Sequence, residues 1–350
     1  TTGHLHRAAL AHLSGGTFAI LLTDVSHAES KRIAKKLADD LASLADEGEG
    51  LAGNIGHVGG VSFVNATSFG QLLAEADHSL TLAQAEGPNR WRLDALTAET
   101  AKMPQGQMEW KRMLDEVLSE RAITVFRQSV FAASGTERIL HVELFSRILL
   151  SDGQAMSAGV FIPLAIKSHC IAAVDQMVLE KALEVDWRSL GVEEVAINIS
   201  SASFREPSFS GWVLNRLSRL NSHDLRIVFE FVEFAAIRDL ATIQTFAAEV
   251  KKRGHAIAFD HFGQSFANFG YLKSLQPKYV KIDKGFTDEL RSGESDGSFF
   301  IGALTGVAHS LDILVVAEGV ENKEQAEMLR ALNVDGMQGF MLDQPRPVVV

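Results

Sequence analysis

A carboxylate at the end of one short apolar run, a glycine turn, and a lysine with a second carboxylate at the end of the next run leave few folds open to a chain. Residues 256–283 read AIAFDHFGQSFANFGYLKSLQPKYVKID. The first run ends in Asp260, Gly263 turns the chain, a helix-like segment follows, and Tyr279-Val280 leads into Lys281-Ile282-Asp283. Parallel α/β folds build their sites from polar residues at the C-terminal ends of strands. The same pattern recurs at Glu143, Asn198, Glu230, Glu318 and Gln338. A barrel with its chemistry on one rim accounts for that repetition.

From Ile123 onward apolar runs and helical periodicities alternate, which predicts a (β/α) barrel in an α/β protein. The strands are expected at Ile123–Val130, Ile139–Phe145, Val195–Ile199, Arg226–Phe231, Ala256–Asp260, Tyr279–Ile282, Ile313–Ala317 and Gly336–Gly339. Helices are expected at Pro163–Glu184, Ala236–Arg253, Asp296–Ser310 and Lys323–Leu332. Residues 1–95 read as a smaller α+β domain. It has a strand at Phe18–Leu22, a helix over Ser26–Asp46 with Ser26 and Glu29 as a capping box, a strand at Gly59–Val64 and a helix at Phe69–Ala85. Residues 96–120 read as a helical linker broken at Pro104-Gln105-Gly106, which leaves 121–350 for the barrel.

Forty-four acidic against 33 basic residues give a formal charge of −11, and no basic cluster marks a nucleic-acid footprint. An acidic protein binds an anion only where metal ions or local Arg and Lys supply positive charge. Cys170 is the only cysteine, so a disulfide framework and a thiolate metal site are both excluded. No apolar run reaches membrane-spanning length. The opening TTGHLHRAAL does not read as a natural start. A cytoplasmic protein is therefore expected, with the cytoplasmic part of a longer, membrane-anchored one as the alternative.

Glu143, Glu230, Asp260 and Glu318 stand at or beside the ends of apolar runs, with Asn198, Lys281 and Gln338 among them. On one rim these carboxylates would repel one another unless cations neutralised them. All-oxygen ligands select Mg²⁺, Mn²⁺ or Ca²⁺ over zinc. Lys281 adds a fixed positive charge suited to a phosphate. The residues alone predict a divalent-metal, phosphate-recognising barrel.

Residues 120–347 resemble an EAL domain, the cyclic di-GMP phosphodiesterase family. The matches, in order, are Glu143-Leu144-Phe145 with Arg147, Phe161-Ile-Pro163-Leu-Ala165, Ile197-Asn198-Ile-Ser200, Glu230-Phe-Val-Glu233, Asp260-His261-Phe-Gly263, Val280-Lys281-Ile-Asp283, Ala317-Glu318-Gly-Val-Glu321 and Gln338-Gly339. The resemblance implies an EAL-type (β/α)8 TIM-like barrel. It implies that Glu143, Asn198, Glu230 and Asp260 ligate a first Mg²⁺ or Mn²⁺, and that Lys281, Glu318 and Glu233 are catalytic. Lys281 would act near the attacking water, Glu318 as base or metal partner, and Glu233 would hold the loop after Asp260. Gln128, Glu143, Leu144, Arg147, Pro163, Asn198, Asp260 and Gln338 would line the ligand site, where water opens cyclic di-GMP to pGpG. The family carries a second aspartate, a ligand of the second metal, where this chain has His261. Neutral imidazole adds no charge and suits softer metals. Ser129 stands where a proline usually follows the glutamine, and Gln264-Ser265-Phe266 replaces the usual Thr-Gly-Tyr.

Residues 1–95 resemble the C-terminal part of a GGDEF (diguanylate cyclase) domain. The hairpin is Ser14-Gly15-Gly16-Thr17-Phe18, and Glu75–Leu80 and Gly87-Pro-Asn-Arg90 match further on. Gly16 and Thr17 occupy its two acidic positions, so the carboxylate that holds metal on nucleotide phosphates is missing and a cyclase is excluded. Three functions follow, in order of preference: a cyclic di-GMP receptor or effector with impaired hydrolysis, an active Mg- or Mn-dependent phosphodiesterase, and a ligand-independent interaction scaffold. A homodimer and a protein partner for signal output are expected from the resemblance.

Overall fold

The computed structural model describes residues 8–14, 17–47, 56–63, 72, 76, 79–80, 82–84, 89–95, 107–134, 138–149, 155–220, 225–263, 269–290 and 295–348. Several readings lie outside these residues: Gly15-Gly16 of the hairpin, most of the Phe69–Ala85 helix, Gly87-Pro88, the Pro104–Gly106 break and Gln264-Ser265-Phe266. The chain forms two compact units, 1–109 and 110–350, which meet inside the stretch read as a linker.

In the first unit β1 (Ala8–Ser14) pairs antiparallel with β2 (Thr17–Leu22). Helix α1 (His27–Glu47) starts where Ser26 Oγ accepts from the Glu29 N–H at 3.2 Å. Strands β3 (Val58–Ser62) and β4 (Trp91–Ala95) pair in parallel.

Helix α2 (Gln107–Ser119) begins three residues before the second unit and buries Trp110, Leu114 and Val117 within it at helical spacing. Then come β5 (Ile123–Ala132), β6 (Ile139–Leu149), β7 (Ala155–Ser157), α3 (Ala158–Lys167), α4 (Ile171–Leu183), β8 (Glu194–Asn198), α5 (Phe209–Leu217) and β9 (Arg226–Val232). After them follow α6 (Glu233–Arg238), α7 (Leu240–Lys252), β10 (Ala256–Phe262), α8 (Gly270–Leu275), β11 (Tyr279–Ile282), α9 (Lys284–Glu289), α10 (Ser295–His309), β12 (Leu314–Ala317), α11 (Lys323–Ala331), β13 (Gly336–Met337) and β14 (Arg346–Pro347). Strands β6, β8, β9, β10, β11, β12 and β13 pair in parallel in that order, and β5 pairs with both β6 and β13 to close an eight-stranded barrel. The eight expected strands are these eight. The first differs from a regular (β/α)8 barrel in running antiparallel to both neighbours, since the six residues between Ala132 and Ile139 are too few for the helical crossover that a parallel pair needs.

Two expected helices are each split. Pro163–Glu184 becomes α3 and α4, because His169 adopts φ +58° and the Cys170 N–H donates to the Ala165 carbonyl at 3.0 Å, closing a Schellman-type end without glycine. Ala236–Arg253 falls within α6 and α7, which break at Asp239.

The barrel axis is filled by Val130, Ala196, Val228, Ala256, Ala258, Tyr279 and Val316. Side chains two residues apart on a strand share a face. One step toward the rim from this apolar plug therefore brings Gln128, Asn198, Glu230, Asp260 and Lys281 inward from five different strands, with Glu318 just past the end of β12. Apart from Tyr279 the plug residues are Ala and Val, which leave room above them for long polar side chains.

Candidate functional site

Lys281 is the centre of the rim. Its Nζ donates to Glu143 Oε2 at 2.7 Å and Glu230 Oε2 at 3.2 Å, and lies 2.7 Å from Glu318 Oε1. An ammonium has three N–H donors, so all of them are taken by carboxylates. The Lys281 side chain is 0% exposed. Burial opposes its charge, but Glu143, Glu230 and Glu318 outweigh burial and hold its pKa well above the ordinary lysine value.

A second ring of bonds locks the other polar residues to this centre. Asn198 Nδ2 donates to Glu143 Oε1 at 2.7 Å. Gln338 Nε2 reaches Glu143 Oε2 at 2.8 Å and Gln128 Oε1 at 3.1 Å. Gln128 lies directly across from Glu143 in the β5–β6 ladder. The Gln338 backbone is drawn in because Gly339 lies against the loop after β12, where a Cβ would come within 2.1 Å of the Val320 carbonyl oxygen.

The carboxylates differ in charge. Burial, then the neighbouring Glu143, lifts the Glu230 carboxyl well above its usual range. Burial and the charge of Asp260 raise Glu318 to about 8, and Glu318 is hydrogen-bonded to Asp260. Burial works against the Asp260 anion too, but His261 and Lys281 overcome it and hold that carboxyl below its ordinary value. The rim therefore contains acids with opposed proton affinities in contact.

His261 occupies a bulge. The β10–β11 register shifts between Phe259 and Phe262, and His261 has φ +55°. Its N–H donates to Asp260 Oδ1 at 2.8 Å, its Nδ1 pairs with Asp283 Oδ2 at 2.6 Å, and its Nε2 is 3.7 Å from Asp260 Oδ2. The Asp260 charge, against burial and with help from the Asp283 hydrogen bond, raises the imidazole to about 10. A cation made from protein thus stands between two aspartates.

The donor set bears on whether a metal fits. Glu143, Glu230, Asp260 and the amide oxygen of Asn198 are hard donors suited to Mg²⁺ or Mn²⁺. Glu230 Oε1 is a buried oxygen with no hydrogen-bond partner, which a cation would satisfy. At the second position the fit ends, since imidazole replaces an anionic oxygen and its Nδ1 is engaged by Asp283. Among the described residues no three His, Cys, Asp or Glu side chains form a ready-made cage; around Lys281 the carboxylates are turned onto the ammonium.

The remaining expected residues lie outside the cluster. Glu233, buried, accepts from the Gly263 N–H at 3.2 Å and from the Tyr271 hydroxyl, so it fixes the start of the segment that follows Asp260. Arg147 is four residues beyond Glu143 on β6, its guanidinium 4.6 Å from the centre of the Phe126 ring. Leu144 is buried and alternates to the opposite face from Glu143. Pro163 is buried within α3. Neither Leu144 nor Pro163 joins the hydrogen-bonded layer.

Three contributors escaped sequence reading. Asp283 had a signal, the strand-end carboxylate of Lys-Ile-Asp, yet nothing in the sequence paired it with His261. Tyr271, the partner of Glu233, carried none. Asp343 fills the gap between β13 and β14 along β5: its carbonyl accepts from Gln128 Nε2 at 2.7 Å and its carboxylate from the Ser129 N–H at 2.9 Å. A proline at position 129 would have no N–H to give.

Comparison with known proteins places this geometry. The chain is 25% identical over 97% of its length to the bifunctional diguanylate cyclase/cyclic di-GMP phosphodiesterase MucR of Pseudomonas aeruginosa, of which it covers 50%. It is 23% identical, again over 97% of its length, to the cyclic di-GMP phosphodiesterase PdeB of Shewanella oneidensis, of which it covers 40%. The chain thus spans half or less of the length of these relatives. Among solved structures, the S helix-GGDEF-EAL part of Vibrio cholerae LapD bound to c-di-GMP matches 96% of this chain and 79% of its own, with a TM-score of 0.77 and 25% identity. The FimX EAL domain of P. aeruginosa bound to c-di-GMP shares the fold over 68% of this chain and 96% of its own, with a TM-score of 0.62 and 21% identity. The LapD match carries a GGDEF-like part in front of the barrel. The EAL domain model matches residues 111–345, and with the closed barrel and its polar rim this shows that the chain belongs to the EAL domain family.

Proposed function

We propose that this chain binds cyclic di-GMP on the rim of its barrel and acts as a receptor or effector in cyclic di-GMP signalling, with impaired hydrolysis and no cyclase activity. The observation that carries this reading is the His261–Asp283 pair at 2.6 Å. Where the family has an aspartate for its second metal, this chain has an imidazole already bound to another residue. Ligand capture asks less of the site than hydrolysis does. Gln128, Glu143, Arg147, Asn198, Asp260 and Gln338 are the groups that would hold the dinucleotide, with the buried Leu144 and Pro163 packed behind them rather than exposed to it.

Glu143, Asn198, Glu230 and Asp260 would hold one Mg²⁺ or Mn²⁺. Such an ion, when bound, polarises a phosphoryl oxygen and activates water. On that reading Lys281, released from some of its carboxylates, offers N–H donors to the phosphate, and Glu318 takes a proton. Glu233 keeps the segment after Asp260 in place through Gly263. Signal output through a homodimer and a protein partner, in the cytoplasm and as part of a longer chain, completes the proposal.

A second reading, an active phosphodiesterase, is favoured by one observation. Glu318 sits at about 8, where a general base exchanges protons near neutral pH. Calorimetry with cyclic di-GMP, in EDTA and in Mg²⁺, together with chromatography for pGpG on the same preparation, separates the two. The expected result is binding by the parent with negligible pGpG, and at least about a tenfold gain of hydrolysis in His261→Asp. No detectable binding removes the receptor reading, and robust turnover by the parent removes the impairment.

A further inference from the structure

Beneath the carboxylate layer two buried polar groups face each other without a bond. His141 lies two residues before Glu143 on β6, on the floor side of the barrel, and its side chain is 0% exposed. Neither of its ring nitrogens has a partner, and neither has Glu230 Oε1. Its Nε2 stands 3.9 Å from that oxygen, beyond hydrogen-bond reach. Unmade bonds at fully buried groups are rare and costly, so two of them facing each other call for a reason.

The surroundings restrict what the ring can do. Its centre is 4.6 Å from that of Tyr279, with the planes at 38°. Tyr279 is itself anchored, its hydroxyl donating to Glu194 Oε1 at 2.6 Å near the barrel floor. The other oxygen of Glu230 is held by Lys281 at 3.2 Å. A line of side chains therefore rises from Glu194 through Tyr279 and His141 to face Glu230 Oε1, a buried carboxylate oxygen without a hydrogen-bond partner. A phenylalanine would pack on Tyr279 as well as an imidazole does. The nitrogen is what histidine adds, and Glu230 Oε1 is the group it faces.

We infer that His141 is a positioning residue for Glu230: its Nε2–H faces Oε1 across 3.9 Å, closes to a hydrogen bond with it in solution, and so sets the rotation of that carboxylate beneath the rim. The facing of the two unpartnered groups is the geometric ground, while the effect on cation binding rests on the proposed role of Glu230.

Long-range ¹⁵N–¹H spectra of the labelled parent protein test the contact without any variant. One histidine should appear as the Nε2–H tautomer with a slowly exchanging proton, and that signal should be missing from His141→Phe and displaced in Glu230→Gln. Calorimetry with Mn²⁺ tests the consequence. His141→Phe should bind the ion about tenfold more weakly or worse, while His141→Gln, which restores an N–H donor, should recover most of the loss. An Nδ1–H tautomer, a rapidly exchanging Nε2 proton, or His141→Phe binding Mn²⁺ as tightly as the parent overturns the inference. If the parent binds neither Mn²⁺ nor cyclic di-GMP, the site reading falls and the spectra alone decide the role of His141.

Discussion

Lys281→Met leaves the aliphatic stem in the barrel and removes the ammonium that three acids share. Its Nζ lies 2.7, 3.2 and 2.7 Å from oxygens of Glu143, Glu230 and Glu318, whose side chains are 2%, 0% and 20% exposed. Removing one partner of a buried ion pair costs about 3–5 kcal/mol, since the other charge is left uncompensated. In a unit of this size about 1 kcal/mol moves the melting point by about 2–4 °C. The variant should therefore melt about 6–20 °C below the parent at pH 8. Without the ammonium the carboxyls hold protons more tightly in the folded state, so acid favours folding of the variant and the gap should narrow by pH 5. Millimolar Mn²⁺ should raise the variant's melting point more than the parent's, because a cation then fills the charge left vacant. Differential scanning calorimetry at both pH values reads all three effects. A variant within about 2 °C of the parent at pH 8, or a gap that widens in acid, would refute the claim that this lysine neutralises the rim.

The metal-free parent should itself lose stability above pH 6.5. Burial lifts Asp175 to about 7 and Glu318 to about 8, and the Asp260 charge lifts His261 to about 10. Each binds protons more tightly folded than unfolded, so stability falls toward pH 8 through the acids and onward toward 10 through His261. His141 and His255, held by burial at about 3 and about 4, act in the opposite sense only below 6.5. Denaturant midpoints at pH 6.5, 8 and 9.5 that stay level or rise would contradict this. Gly339→Ala should abolish soluble expression or the cooperative transition, since its Cβ would meet the Val320 backbone at 2.1 Å. Gly211→Ala, in α5 with nothing within 4 Å, should stabilise by about 0.5–1 kcal/mol in the same melting assay.

The barrel strands were legible because alternation and strand-end polarity coincide. Ala196, Val228, Ala258 and Val316 point inward and are followed two residues later by Asn198, Glu230, Asp260 and Glu318, while on the reversed first strand Gln128 precedes Val130 by two. Strand direction was less visible, since pairing is not written in the strand itself; the short connection between Ala132 and Ile139 was the only local sign that the first strand runs backward. Helix breaks at His169 and Asp239 went unseen because neither uses glycine or proline. The polar rim was readable as a set of residue types, but its bonding was not. That Lys281 gathers three acids, that His261 is tied to Asp283, and that His141 underlies Glu230 all depend on register between strands far apart in the chain.

The reversed first strand also decides where covalent tension enters the barrel. Ile123 pairs with Ile148, beyond the Gln128–Glu143 rung in the direction of the other strands' ends. A helix pulling or turning on β5 thus has leverage on Gln128 from only five residues away, and through Gln338 on Glu143. In an all-parallel barrel the same tug would arrive at the opposite end, with the apolar plug in between. This architecture ties the leash to the mouth.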